Sequence, residues 1–334
     1  MFEASKREKS GGQGTEILSG SADLGRAVAI LGAGGLVAFP TETVYGLGAD
    51  AANDAAVSRI FIAKGRPAEH PLIVHIAAAD EMRRWARDIP GAAWKLAARF
   101  WPGPLTLILQ RVPDLAQAAS GGLATLGLRV PGHPVALELL RAFGGGIAAP
   151  SANRFGRISP TRTEHVLAEL NGRIAAVIDG GPCALGLEST ILDLSGESPQ
   201  VLRPGAISVA ALAAIIGPLG AALGTQALRA PGALATHYAP ETPLHLFESL
   251  ALKAAVTRFA ALGPVVVLAR RPPLQTTTCN WVHMPEEAAA YGHDLYARLR
   301  EADAQGCAWI LVERPPATSE WVAVRDRLRR AAGN

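Results

Sequence analysis

The stretch Leu36-Val37-Ala38-Phe39-Pro40-Thr41-Glu42-Thr43-Val44-Tyr45-Gly46-Leu47-Gly48 decides how this chain folds. Four apolar residues ended by a proline read as a short buried strand, because Pro40 has no N–H for a ladder. The small and polar residues behind it form a loop at a strand end, where α/β folds place ligands. Before the strand, Asp23 to Leu31 has helical periodicity, so the local order is helix, Gly32-Ala33-Gly34-Gly35, strand. A dinucleotide fingerprint requires strand, glycines, helix, and these glycines are therefore read as a turn. The sequence also lacks a G-x-x-x-x-G-K-[ST] loop.

Working outward, strands and helices alternate. Asn53 caps a helix with Val57, Ile60, Phe61 and Lys64 on one face, closed by Gly65. Leu72–Ile76 is a strand, and helices near Asp80–Ala86 and Ala92–Phe100 stop at Trp101-Pro102-Gly103-Pro104. Strands follow at Leu105–Leu109, Thr125–Val130, Ile147–Ala149, Ala175–Ile178, Thr190–Leu194 and Val201–Arg203, with helices after Pro134 and Thr163. The uncharged run from Gly205 to Leu228 is long enough to raise a membrane span, but Gly217-Pro218 cuts it. What remains is a helix from Ser208 to Ile216, about 13 Å long. Residues 1–16 read as a disordered lead-in, 17–217 as one domain, and 218–243, rich in Ala, Gly and Pro, as a linker. Over 244–334 a β-α-β-α-β-α pattern predicts a small parallel sheet covered by helices.

Composition agrees with a two-domain α/β protein. Of 334 residues, 49% are apolar and 18% charged, enough to bury a large core. A net charge of +3 permits anionic ligands without declaring a nucleic-acid or membrane-surface protein. Cys183, Cys279 and Cys307 are odd in number and have no C-x-x-C spacing, which implies a reducing, cytoplasmic setting. The eight histidines form no compact ligand set, so no dedicated metal site is expected.

Single residues are ambiguous by themselves. His75 points away from the face of its strand that carries Leu72, Val74 and Ile76, which reads as a polar face. Arg325, Arg327, Arg329 and Arg330 end the last helix, and cations there complement the dipole on a solvated helix end. Four clusters at strand or helix ends stand out: Pro40–Gly48, Ala63–Pro67, Ala149–Asn153 and Leu187–Ile191. Lys64-Gly65-Arg66 offers two cations to a phosphate, and Ser151 and Asn153 offer hydroxyl and amide donors.

PTETVYGLGADA, KGRP with PLIVHI, WPGPLTLIL, LRVPGHP, PSAN, DGG, LESTILDL and LRPGAIS occur in this order. Together they resemble the YrdC/YciO-type L-threonylcarbamoyladenylate synthases. The tail, with APGALATHYAP, resembles the long form with an extra C-terminal domain. The resemblance implies a twisted, YrdC-like α/β domain with a large positive concavity and a Rossmann-like second domain. It implies conversion of L-threonine, bicarbonate and ATP, with Mg²⁺ on the phosphates, into threonylcarbamoyl-AMP and pyrophosphate for tRNA modification. Tyr238 resembles the residue that covers the nucleotide. Threonine contacts carry over to Thr43, His75, Arg129, Ala149 and Ser189, and ATP contacts to Lys64, Arg66, His70, Thr125, Ser151, Asn153, Ser159, Arg203 and Tyr238. His70 stands where the family usually has Asn. Lys64, Arg66 and Arg203 are then the charges that stabilise the reacting phosphate, and His237 with Tyr238 suits a lid. Contacts with tRNA-modification partner proteins are a further implication. Two other activities fit the same fold: a non-catalytic RNA-binding module, and a carbamoyl-adenylate enzyme with a different acceptor.

Overall fold

A computed structural model describes residues 14–220, 237–273 and 279–333. Strands β1 (Glu16–Ser19), β2 (Val37–Phe39), β3 (Gly46–Asp50), β4 (Ile73–His75), β5 (Leu105–Gln110), β6 (Thr125–Arg129), β7 (Ile147–Ala148), β8 (Ala176–Asp179), β9 (Thr190–Asp193) and β10 (Gln200–Arg203) form one sheet. Its order is β1-β8-β2-β3-β7-β4-β6-β5-β9-β10, with parallel and antiparallel pairs mixed. Helices α1 (Leu24–Gly32), α2 (Asp54–Lys64), α3 (Met82–Trp85), α4 (Gly91–Phe100), α5 (Gln117–Ser120), α6 (Pro134–Phe143), α7 (Thr163–Leu170) and α8 (Val209–Ile216) accompany it. The periodicities predict most of these within a residue or two.

Local chemistry explains the element ends that matter for the site. The Asn53 side chain accepts from the Ala56 N–H at 3.1 Å, satisfying one orphan donor at the start of α2. Gly65 closes that helix at φ 62°, a left-handed conformation that glycine adopts without a Cβ clash. This cap turns the chain so that Lys64 and Arg66 are both buried.

Two strands escape a reading from pattern alone. Gly46-Leu47-Gly48, expected as loop, begins β3, which pairs antiparallel with β2. Its glycine is a packing requirement: a Cβ on Gly48 would lie 2.8 Å from Ile147 Cγ2 and 2.9 Å from Phe39 Cε1. Glu16, placed in the lead-in by sequence, pairs with Ala176 in β1, while residues 1–13 lie outside the described residues.

The second sheet contains β11 (Leu244–Phe247), β12 (Val265–Ala269), β13 (Asn280–His283) and β14 (Trp309–Glu313), in the order β11-β14-β12-β13 and wholly parallel. With α9 (Leu252–Ala260), α10 (Ala288–Asp303) and α11 (Val322–Ala331) it makes the predicted small α/β layer, with β13 added at an edge. Of the expected linker, 221–236 lies outside the described residues, and Ala239 pairs with Arg157 of the first domain.

The two layers share apolar packing. Val44, Ile158 and Leu187 of the first domain and Tyr238 belong to the same buried cluster as Tyr291, Leu295, Tyr296 and Val324. Among the described residues no helix is long and apolar enough to cross a membrane.

Candidate active site

One cavity collects strand ends and loops that are far apart in sequence. Thr41, Thr43 and Gly46 reach it from between β2 and β3, His75 from β4, Arg129 from β6, and Ala149 and Ser151 from beyond β7. Glu188 and Ser189 enter ahead of β9, Arg203 ends β10, Arg66 follows α2, and His237 and Tyr238 close the wall. The space left between them is about 50 Å³. Arg129 and Arg203, which the resemblance assigns to threonine and to ATP, line this same cavity.

At one end the hydroxyl of Thr41 donates to the Val44 carbonyl at 2.6 Å, which uses its single proton. Thr43 therefore donates in the 2.8 Å contact with Thr41, and accepts from Arg129 Nη1 at 3.0 Å. Arg129 Nε donates to the Gly103 carbonyl at 3.2 Å. Its Nη2 lies 2.8 Å from Glu42 Oε1, yet this ion pair is not aligned as a hydrogen bond, and neither Glu42 oxygen has another partner among the described residues. Beside it His75 is buried, not on a polar face, and burial followed by the Arg129 charge lowers its pKa to about 3. The imidazole is neutral at ordinary pH, and so weak a base cannot serve well as proton acceptor from an ammonium.

At the other end Ser189 Oγ is 2.8 Å from Thr106 Oγ1 and accepts from Arg203 Nη2 at 3.0 Å, while Arg203 Nε donates to the Ser189 carbonyl at 3.1 Å. Arg66 Nη2 donates to the Pro71 carbonyl at 3.1 Å, and its guanidinium lies over the Phe155 ring at 5.7 Å. Burial pulls Arg66 down to about 10, which leaves it charged at neutral pH.

Other predicted residues stand around this wall. The Lys64 ammonium donates to the Ser151 and Asn153 carbonyls at 2.6 and 2.5 Å and to Asn153 Oδ1 at 3.3 Å. Burial, and then Arg66, hold its pKa well below the usual lysine value. Lys64 thus fixes the loop that presents Ser151, and does not itself line the cavity. Asn153 Nδ2 donates to the Arg154 and Arg157 carbonyls at 3.0 and 2.7 Å, and Ser159 Oγ donates to Glu188 Oε1 at 2.6 Å. His70 packs edge-on against Phe155 at 5.5 Å, its pKa lowered by partial burial and Arg66. Thr125 lines an adjoining apolar cavity of about 200 Å³ that shares Leu72 and Ile73 with the first.

Tyr238 is buried at φ 65°, stacked on Tyr296 at 5.6 Å and against His237 at 4.1 Å. Burial first, then Glu188, raises its pKa, so the phenol stays protonated. Burial takes His237 the other way, down to about 3, with Glu188 opposing and Arg66, Lys64 and Arg203 assisting.

Sequence reasoning did not select Glu42 or Glu188 as site residues, although both sit inside quoted clusters. The expectation of a solvated arginine helix end is corrected: Arg327 is fully buried, because its guanidinium meets Glu188 Oε2 at 2.8 Å. That partner lies 139 residues away, beyond any local signal.

The site is that of a two-domain α/β protein with buried cations gathered around a small-ligand cavity. Residues 29–205 match the Sua5/YciO/YrdC family, described as telomere recombination, and residues 207–333 match the C-terminal domain of threonylcarbamoyl-AMP synthase. A threonylcarbamoyl-AMP synthase of Bacillus subtilis is 40% identical over 95% of both chains. Another, of Pyrococcus abyssi, is 39% identical over 90% of this chain and 91% of its own. The crystal structure of P. abyssi Sua5 complexed with L-threonine superimposes with a TM-score of 0.90 at 35% identity, covering 96% of this chain and 98% of the other. The chain belongs to the threonylcarbamoyl-AMP synthase family, in its long form with a second domain.

Proposed function

We propose that this nucleotidyltransferase joins L-threonine, bicarbonate or carbon dioxide, and ATP into threonylcarbamoyl-AMP and pyrophosphate, the donor for tRNA threonylcarbamoyladenosine formation. One observation carries the residue assignments: Arg129 and Arg203 are both buried and both line one cavity. Arg129, whose fork matches a carboxylate, grips the threonine carboxylate, with Thr43, Ser189 and neutral His75 reading its small polar groups and Ala149 forming the backbone wall. Arg66, Arg203 and Ser151 face the phosphates. Lys64 and Asn153 hold that loop, Ser159 and His70 its flanks, and Thr125 with the apolar cavity beside it receives the nucleoside.

In the first step the threonine nitrogen, once deprotonated, bonds to the carbon of carbon dioxide, giving a carbamate and releasing a proton. A carbamate oxygen then bonds to the α-phosphorus as the bond to the departing pyrophosphate breaks. Both steps gather negative charge, so positioning and fixed cations carry the catalysis. A cation 4 Å from a phosphate oxygen contributes about 4 kcal/mol at an effective dielectric near 20. Mg²⁺ bound to the ATP phosphates would neutralise leaving-group charge there, in keeping with its preference for substrate oxygens. No group of three or more His, Cys, Asp or Glu able to hold a metal occurs among the described residues.

The cavity of about 50 Å³ and the adjoining one of about 200 Å³ together fall short of the roughly 300–1,000 Å³ of sites for such ligands. His237 and Tyr238 therefore move to admit substrate and return to shield the hydrolysable mixed anhydride. Synthesis for tRNA places the protein in the cytoplasm, near the proteins that consume its product. The test is pyrophosphate release: it requires threonine and bicarbonate together. Salt-sensitive RNA binding without turnover would instead establish the RNA-binding module, and turnover indifferent to threonine a different acceptor.

A further inference from the structure

The second domain is fastened to the catalytic wall by a charge it cannot leave unpaired. Arg327 of α11 has no solvent exposure. Its Nε donates to Glu188 Oε2 at 2.8 Å, and its Nη1 pairs with Asp326 at 2.8 Å. Tyr296 of α10 donates its hydroxyl to the same Glu188 oxygen at 2.9 Å, and Ser159 takes the other at 2.6 Å. The Arg327 guanidinium also lies over the Tyr238 ring at 5.4 Å, and Tyr296 stacks on that ring from the second domain.

Glu188 is no remote anchor. It lines the cavity, precedes Ser189 in the chain, and Ser189 is bonded to Arg203 through both its hydroxyl and its carbonyl. The close approach is built in: a Cβ on Gly186 would lie 2.4 Å from the His293 carbonyl oxygen of α10, and Gly186 sits at φ 73°. Leu187 then enters the second domain's apolar cluster, leaving Glu188 to face inward.

We propose that Arg327 and Tyr296 are positioning residues of the synthase site, acting through Glu188 and Tyr238 to hold the nucleotide wall in shape and neutral. The proposal rests on the reading of this cavity as the ATP site. A carboxylate in that wall repels a triphosphate unless a fixed cation offsets it, and in a buried setting the repulsion is weakly screened. Arg327 supplies the cation from outside the first domain. The fork holds Glu188 in one orientation, and Glu188 fixes the approach of Ser189 to Arg203. The second domain is then part of the catalytic architecture and not an appended module.

The experiment uses the full chain with Arg327→Met, Tyr296→Phe, and Arg327→Met combined with Glu188→Gln. Pyrophosphate release is measured against ATP and threonine, and affinity for a non-hydrolysable ATP analogue by calorimetry, beside the melting temperature. Expected is a rise of roughly tenfold or more in ATP KM and analogue Kd for Arg327→Met, with a smaller change in kcat. Tyr296→Phe, which deletes one hydroxyl and keeps the fold, gives roughly a threefold rise. Adding Glu188→Gln to Arg327→Met removes the stranded charge and recovers most of the nucleotide affinity. An unchanged analogue Kd in the folded fraction of Arg327→Met and in Tyr296→Phe would overturn the proposal, as would a double variant no better than the single one. Because the analogue Kd needs no turnover, a wild type that binds nucleotide but ignores threonine would refute the acceptor assignment and leave this test decisive.

Discussion

Two buried arginine–glutamate pairs border the same cavity, and they are built differently. In Arg327–Glu188 each carboxylate oxygen receives donors, from Ser159 on one side and from Arg327 and Tyr296 on the other. Burial would raise the pKa of Glu188, but Arg327, Arg203 and the Ser159 hydroxyl together hold it below the usual range. In Arg129–Glu42 the charges touch at 2.8 Å without an aligned hydrogen bond, and Glu42 has no other partner among the described residues. A saturated pair fixes architecture. An under-bonded pair beside a cavity keeps interaction in reserve for a ligand, because the guanidinium can improve its bonding when a substrate carboxylate arrives.

The largest effect that would break this contrast is on stability. Glu188→Gln weakens a carboxylate that accepts three aligned hydrogen bonds and should cost about 2–3 kcal/mol, although Asp326 still pairs with Arg327, whereas Glu42→Gln, losing no aligned bond, should cost about 1–2 kcal/mol. Denaturant midpoints measured side by side decide it, and equal losses would erase the distinction. Next comes Arg129→Met, which removes the only proposed carboxylate fork. Threonine-dependent pyrophosphate release should fall roughly 10²–10³-fold while affinity for an ATP analogue changes little. Parallel loss of both would mean that Arg129 serves the whole cavity and not the amino acid.

A subtler contrast separates the linker end from the rest of the wall. His237 is neutral when packed, with a pKa of about 3 against an ordinary 6.5. Released into water it takes up a proton below pH 6.5, so the packed state is fully favoured above that value and loses ground as pH falls toward 3. Between pH 7 and pH 5 release should become easier by about 2 kcal/mol. The Ala239 N–H, bonded to the Gly156 carbonyl at 2.9 Å, reports it through hydrogen exchange. Protection corrected for intrinsic exchange should drop roughly 30-fold over that range, and His237→Gln should abolish the drop. Identical pH profiles in the two proteins would remove His237 as the cause.

What could be read in advance follows the range of the physics. Asn53, Gly65, Pro134 and Ser208 mark helix ends through bonds within a few residues, and these ends stand as expected. The insertion of β8 between β1 and β2 depends on pairing across more than a hundred residues, which periodicity does not encode. Strand β3 was obscured because its glycines serve close packing against Ile147 and Phe39, and in sequence they read as part of a loop. The edge strand Asn280–His283 has polar ends and no apolar run to announce it. In the site, ordered motifs nominated Arg66, Arg129 and Arg203, and the three side chains line one cavity. That Lys64 is spent on three oxygens of the 151–153 loop, and that Arg327 crosses to Glu188, depends on tertiary placement alone.

The smallest test acts on the under-bonded pair through its neighbour. Thr43 donates to Thr41 and accepts from Arg129 Nη1, so its hydroxyl steers the guanidinium toward the cavity. Thr43→Val keeps the branched shape and deletes both bonds, a change of about 1 kcal/mol, or roughly fivefold. If Arg129 is the threonine fork, that factor should appear in threonine KM, with ATP KM unaffected. Ser159→Ala, which takes one donor from Glu188 on the nucleotide side of the wall, provides the control, because Arg327 and Tyr296 still donate to that carboxylate. Equal responses to the two changes would mean that the two ends of the cavity do not discriminate between the substrates.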